Sequence, residues 1–198
     1  VSPAAIGAAL ALTAVATVAA SWRWRVIAAR LELRLGWAEA IVAYYRSQFL
    51  NTVLPGGVLG DVDRAVAHGR GVSQIAQASR AVAIERSAGQ AVQLGIAAMA
   101  LVSLGLSAYA PAVGVLLLVL VLVIARAAVA VAAGASVRVR AVIQRELTML
   151  RIALGDLRTL VTVGAASTVV VACHVATFVV ACLAVGVATP PERLVAVA

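Results

Sequence analysis

Residues 4–34 read AAIGAALALTAVATVAASWRWRVIAARLELR. The first seventeen positions of that stretch carry no charge, a run at the short end of the length that crosses a bilayer as a helix. It stops abruptly at Trp22, after which Arg23, Arg25, Arg30 and Arg34 face a single acid, Glu32. An apolar run closed by tryptophan and arginine is the pattern of a membrane helix reaching a cytoplasmic interface. A signal-peptide core is the competing reading. It is disfavoured because no basic region precedes the run and the arginines follow it.

The whole chain shares this character. Of its 198 residues 64% are hydrophobic and 12% charged, and the mean hydropathy is +1.06. Soluble domains carry about 25% charged residues. A globule of this size cannot hide so much apolar surface from water, and a disordered chain has the opposite composition. The expected fold class is therefore an all-α, polytopic membrane protein. Sixteen basic residues, all arginine, oppose eight acids for a formal charge of +8. They fall mostly between apolar runs, where anionic lipid explains them better than nucleic acid does. No nucleic-acid reader motif is present.

Moving outward, further spans are expected at 81–106, 112–133 and 161–188, beside the first at 4–20. Arg126, within the third, lies close enough to a cytoplasmic end to snorkel. Segment 40–60 is apolar but interrupted by Pro55, Gly56, Gly57 and Gly60. It reads as a re-entrant broken helix, which a membrane tolerates where protein or a wet cavity covers the backbone. Segment 137–160 repeats Val139, Ile143, Leu147, Leu150, Leu154 and Leu157 at helical spacing, with five arginines largely off that stripe. It reads as an amphipathic helix lying on an anionic leaflet. Both arginine-rich segments would then be cytoplasmic, with two spans between them. Together these make one transmembrane domain over 1–198. The start at Val1 and the stop within an apolar stretch suggest part of a longer protein.

The chemistry concentrates in residues 44–70, YYRSQFLNTVLPGGVLGDVDRAVAHGR. Gly56, Gly57 and Gly60 permit a tight turn that opens a helix near Asp61, and helix starts suit phosphate. Arg46, Arg64 and Arg86 add guanidinium groups suited to bidentate phosphate contact. The simpler reading has Asp61 capping its helix and pairing with Arg64 at i,i+3. Glu85 and Arg86 point to different sides of a helix, so they should find partners elsewhere, Arg64 or Asp63. His68 reads as a solvated loop residue, and Tyr44 and Tyr45 as interface anchors. His174, inside an apolar run, suits a helix–helix hydrogen bond better than a proton relay. Cys173 and Cys182 are nine residues apart on one helix, about 13 Å of rise, too far to bridge. No metal-ligand spacing, Walker loop, dinucleotide fingerprint or nucleophile elbow occurs.

The ordered set Arg23-Trp24-Arg25, Phe49-Leu50-Asn51, Leu54-Pro55-Gly56-Gly57, Gly60-Asp61, Asp63-Arg64 and Glu85-Arg86 with Gly89 resembles the lysylphosphatidylglycerol synthase transmembrane family, also called the flippase-like domain family. The resemblance covers residues 15 to 95 well and the rest as hydropathy. Glu85-Arg86 stands where many members carry Asp-Arg, which keeps the charge pair. The resemblance implies an integral protein of a bacterial-type plasma membrane that translocates a lipid or lipid-linked sugar. Its partner would be an anionic or isoprenoid-linked lipid, bound near the cytoplasmic face by Arg46, Asn51, Gly56, Gly57, Gly60, Asp61, Arg64, Glu85 and Arg86, without a cofactor. No aminoacyl-transferase domain is present. Two alternatives stay open: a membrane subunit of a lipid-modifying or glycosyl-transfer enzyme, with Asp61, Asp63 or Glu85 as base or metal ligand, and a scaffold for such an enzyme.

Overall fold

A computed structural model describes residues 2–55, 57–72, 74–103 and 137–187. They form six helices: α1 (Pro3–Arg30), α2 (Trp37–Val53), α3 (Leu59–Gly71), α4 (Ile75–Ser103), α5 (Val137–Leu154) and α6 (Leu157–Ala184). No strand occurs among the described residues. The span expected at 112–133, with Arg126, lies outside them, as does Gly56.

Two helices, α1 and α6, are long and apolar enough to cross a membrane, each 28 residues with mean hydropathy 1.9 and 2.1. They make the most extensive helix–helix contact among the described residues. Helix α1 does not stop where its charge-free run ends. It continues through Trp22 to Arg30, because nothing between Ser21 and Arg30 breaks a helix and Ser2 caps its start, accepting from Ala5 N–H. The expected interface segment is thus the last two turns of α1. Glu32 then takes a left-handed φ of 60°, and Leu33 N–H reaches back to Ala28 O at 2.9 Å, a helix-ending turn. Arg25 Nε donates to Leu35 O at 2.9 Å, and Gln77 Nε2 to Leu31 O at 2.5 Å, fixing the connection to α2.

Residues 40–60 resolve into the body of α2, a turn, and the start of α3. The break falls at Leu54–Val58, where Pro55 cannot continue the hydrogen-bond ladder and Gly57 takes φ 61°. Helices α2 and α3 pack on each other, and Gly60 is the contact point. Its N–H donates to Asn51 Oδ1 at 2.7 Å, and a Cβ there would run into the Ser47 carbonyl. Helix α4 begins at Ile75, earlier than the expected span at 81, and packs against α3, α6 and α1.

The expected amphipathic helix ends sooner than 160. Gly155 and Asp156 divide α5 from α6, and the Asp156 carboxylate caps α6 by accepting from Thr159 N–H at 3.2 Å. Leu157 therefore starts α6 and does not end the stripe of α5. On α5, Ala153 is buried, whereas Leu147 and Leu150 remain exposed.

The core lies at the arginine-rich end of the bundle. Trp24, Ile27 and Ala28 of α1, with Leu31 just after it, meet Ala40 and Tyr44 of α2, Ala65 of α3, and Ala78, Ala81 and Val82 of α4. So many alanines let the backbones approach closely, the usual device for packing helices in lipid. The other half of α1 exposes Ile6, Leu10, Val15 and Val18, and α6 exposes Val161, Val169 and Leu183.

Candidate functional site

Within this core sits an arginine–carboxylate network drawn from α1, α2, α3 and α4 and extended to α6. Its centre is Glu85 of α4, whose side chain is fully buried. Glu85 Oε1 accepts from Arg23 Nε of α1 at 2.8 Å, again from Arg23 Nη2, and from the Tyr44 hydroxyl of α2 at 2.6 Å. Its Oε2 accepts from Arg64 Nη2 of α3 at 2.9 Å. A buried carboxylate is tolerable only when so many charge-assisted bonds replace water.

Arg64 and Arg23 carry the network outward. Arg64 Nη2 also reaches Asp61 Oδ1 at 3.1 Å, and its guanidinium lies over the rings of Trp24 and Tyr44, 4.5 and 4.2 Å from their centroids. Those two aromatic faces offset part of the desolvation of a buried cation. Arg64 Nε and Nη1 and Trp24 Nε1 have no hydrogen-bond partner among the described residues. Arg23 Nη1 donates to Ser167 Oγ of α6 at 2.8 Å, and Ser167 itself donates to Val163 O at 2.7 Å. Gly89 makes room for this reach: a Cβ there would lie 2.7 Å from Arg23 Nη1.

At the edge, Asp61 Oδ1 accepts from the Ser47 hydroxyl at 3.2 Å. Asp61 Oδ2 lies 3.0 Å from Arg86 Nε, at ion-pair distance but without the alignment of a hydrogen bond. The Arg86 side chain is 44% exposed, against 0% for Arg64. Three guanidinium groups thus meet two carboxylates, and the surplus positive charge is held by the one arginine that reaches the surface.

The structure therefore brings together Asp61, Arg64, Glu85 and Arg86 from the expected set. The i,i+3 pair Asp61–Arg64 and the partnership of Glu85 with Arg64 are both present. Asp61 does not cap α3, since its carboxylate is turned to Ser47 and the arginines. Asn51 and Gly60 bond to each other, so the Gly60 N–H is already occupied. Arg46 stands apart on the surface, 2.5 Å from Asp63 Oδ1. Gly57 supplies the turn, and a Cβ there would meet nothing within 4 Å.

Three residues join the network that their sequence context hid, and a fourth, His68, packs beside it. Arg23 and Trp24 sit at the end of an apolar run, where interface placement is expected, yet both are buried. Tyr44 is a hydrogen-bond donor to the central carboxylate, not an interface anchor. His68 lies inside α3, 4% exposed, with Nδ1 2.9 Å from Glu39 Oε1 and its ring edge-on to Trp24. The signal that could have found Trp24 is the spacing Thr17, Ser21, Trp24, Ala28, Leu31, a seven-residue repeat of buried positions.

Beside the network a cleft of about 270 Å³ opens between α4 and α6. Arg23, Arg86, Gln90 and Gln93 line it with Ser167 and His174. His174 makes no hydrogen bond among the described residues. Neither does any group of three His, Cys, Asp or Glu side chains gather there to hold a metal ion. Both cysteines are free.

Two helices apolar enough to cross a membrane, together with a family match over the whole chain, make this a helical membrane protein. Over residues 1–198 the sequence matches the family model described as the lysylphosphatidylglycerol synthase TM region, and the chain belongs to that family. The family links it to lipid modification or flipping in a membrane. No curated protein and no solved structure matches the chain.

Proposed function

We propose that this chain translocates an anionic or isoprenoid-linked lipid in a bacterial-type plasma membrane, which it crosses several times. The headgroup binds near the cytoplasmic face at the edge of the arginine–carboxylate network. The observation that carries this reading is the unequal state of the three arginines. Arg23 and Arg64 are buried and share Glu85, whereas Arg86 is half-exposed and only loosely paired with Asp61. Ionisable groups this deep among membrane helices are functional candidates by default. A partly free guanidinium beside a buried, charge-paired base is suited to capture a phosphate.

Within this reading Asp61, Arg64 and Glu85 position Arg86. Asn51 and Gly60 hold α2 against α3. The break at Pro55 and Gly57 lets that pair lie in the membrane as a re-entrant hairpin, and α5 rests on the leaflet through Leu147 and Leu150. The enzyme-subunit alternative has less support, because Glu85 is saturated by donors, Asp61 is held among Ser47, Arg64 and Arg86, and Asp63 is paired with Arg46.

Scrambling in proteoliposomes tests the proposal. Labelled anionic lipids are quenched from outside, comparing the protein with Arg86→Ala and with empty vesicles. Faster loss of inner-leaflet signal with the protein, reduced at least tenfold by Arg86→Ala in a folded sample, is the expected result. Movement no faster than in empty vesicles, for any anionic lipid, overturns it.

A further inference from the structure

We propose that His68 and Glu39 form a proton-binding latch at the mouth of the α2–α3 hairpin, closed when the imidazole is charged and released when it is neutral. Neither residue takes part in the headgroup binding proposed above.

The pair sits where α2 and α3 part. Hydrogen bonds between these helices begin near the Pro55 turn with Gly60 and Asn51, and continue through Ser47–Asp61 and Arg46–Asp63. Among the described residues the outermost joins His68 Nδ1 to Glu39 Oε1, at 2.9 Å. Glu39 lies in the first turn of α2 and His68 in the last turn of α3. A carboxylate at a helix start and an imidazolium at a helix end each complement the partial charge there, so both helices favour the charged pair.

Burial leaves one ring nitrogen to titrate. The His68 side chain is 2% exposed, whereas that of Glu39 is 52% exposed. An ionised carboxylate only accepts, so Nδ1 carries its hydrogen and Nε2 alone gains or loses a proton. Nε2 is buried and has no hydrogen-bond partner among the described residues. A groove of about 400 Å³ between α2 and α3 is bordered by both His68 and Glu39, which gives the proton a route inward from the exposed carboxylate.

The surrounding charges decide what that proton does. From α2 the groove receives Glu39 and Arg46, and from α3 Asp63 and Arg64. Helix α1 presents Trp24 to the imidazole, and α4 presents Ile75 and Ala78 beside the adjoining Gly69, none of them titratable. Arg46 is paired with Asp63, and Arg64 with Asp61 and Glu85. These pairs largely cancel, so the nearest charge prevails, and that is Glu39. A charged His68 therefore holds Glu39 by a charge-assisted bond, and a neutral one by a bond roughly half as strong. As pH rises through the ordinary histidine range the proton leaves and the mouth loosens.

Trp24 reads both events, because its fully buried ring lies 5.6 Å from that of His68. An imidazolium quenches indole emission, and the neutral quencher acrylamide reaches Trp24 only when the mouth opens. The other tryptophans are Trp22 and Trp37, so the full chain with Trp22→Phe and Trp37→Phe, purified in detergent, isolates the signal. Between about pH 8 and about pH 5.5 emission should fall at least twofold in a single-proton step. The bimolecular acrylamide quenching constant should fall at least twofold over the same range. His68→Gln should abolish both changes, and His174→Gln neither. Glu39→Gln keeps an acceptor without the charge and should leave acrylamide access equal at the two pH values. Emission flat with pH, or a step that survives His68→Gln, overturns the proton site. A step with unchanged access, or access that still follows pH in Glu39→Gln, overturns the latch. Should His68→Gln fail to fold, Glu39→Gln, at its half-exposed position, decides alone. No lipid is added, so the result is separate from that of the scrambling experiment.

Discussion

The Tyr44 hydroxyl donates to Glu85 Oε1 at 2.6 Å, joining the second helix to the fourth through the one side chain that both buried arginines also use. Glu85 is therefore the common acceptor of three helices, and its neighbours are not independent. Tyr44→Phe keeps the ring beside Arg64 and removes one donor to a charged group. It should cost about 1.5–3 kcal/mol, seen as a lowered Tm in detergent.

Glu85→Gln should be more damaging than Tyr44→Phe. It leaves Arg23 and Arg64 buried without their shared counter-charge, and breaking a buried ion pair from one side costs about 3–5 kcal/mol. Thermal unfolding of the two variants side by side checks the order. Tyr44→Phe as the weaker variant is the expected outcome.

Two glycines should respond differently to one added methyl group. At Gly60 a Cβ meets the Ser47 backbone carbonyl, so α2 and α3 must separate, at a cost of at least about 1–3 kcal/mol. At Gly89 it meets the tip of Arg23, a side chain that can move by giving up Ser167. Gly89→Ala should therefore spare the α2–α3 contact and loosen α6. Cysteine cross-linking between α1 and α6, compared with α2 and α3, distinguishes the two outcomes.

On the surface, Arg80 of α4 clasps Glu146 of α5 through two nitrogens, with bonds of 2.6 to 2.8 Å. These hydrogen bonds hold the Glu146 carboxyl below its usual range. A folded-state value below the unfolded one stabilises the pair above the ordinary carboxylate range, and that gain is lost as pH falls through the lowered value. Because both groups are partly exposed, Glu146→Gln should cost no more than about 1 kcal/mol at neutral pH. The difference from the unaltered protein, followed by thermal unfolding from pH 7 downward, should vanish in acid.

Much of the architecture was readable in one dimension because lipid leaves so few choices. Long apolar runs had to be helices, and Pro55 with its glycines had to interrupt one. Local pairs such as Asp61–Arg64 followed from helical spacing. Arg23, Tyr44 and His68 did not, since their roles depend on which helix lies opposite, and an arginine after an apolar run looks the same at a headgroup as in a core. The α5–α6 boundary was missed for a related reason: leucines on either side of Gly155 keep the helical period across the break.

The bond from Arg23 Nη1 to Ser167 also sets an order in time. Its partners are 144 positions apart, whereas Arg23 and Glu85 are 62 apart. A ribosome adding about 5–20 residues per second delivers Glu85 several seconds before Ser167. During that interval Arg23 has its Glu85 partner available while its Ser167 partner is not yet made. Closure of the network is thus a late step of biogenesis, and an insertion factor that shields polar groups in the membrane has this interval in which to act.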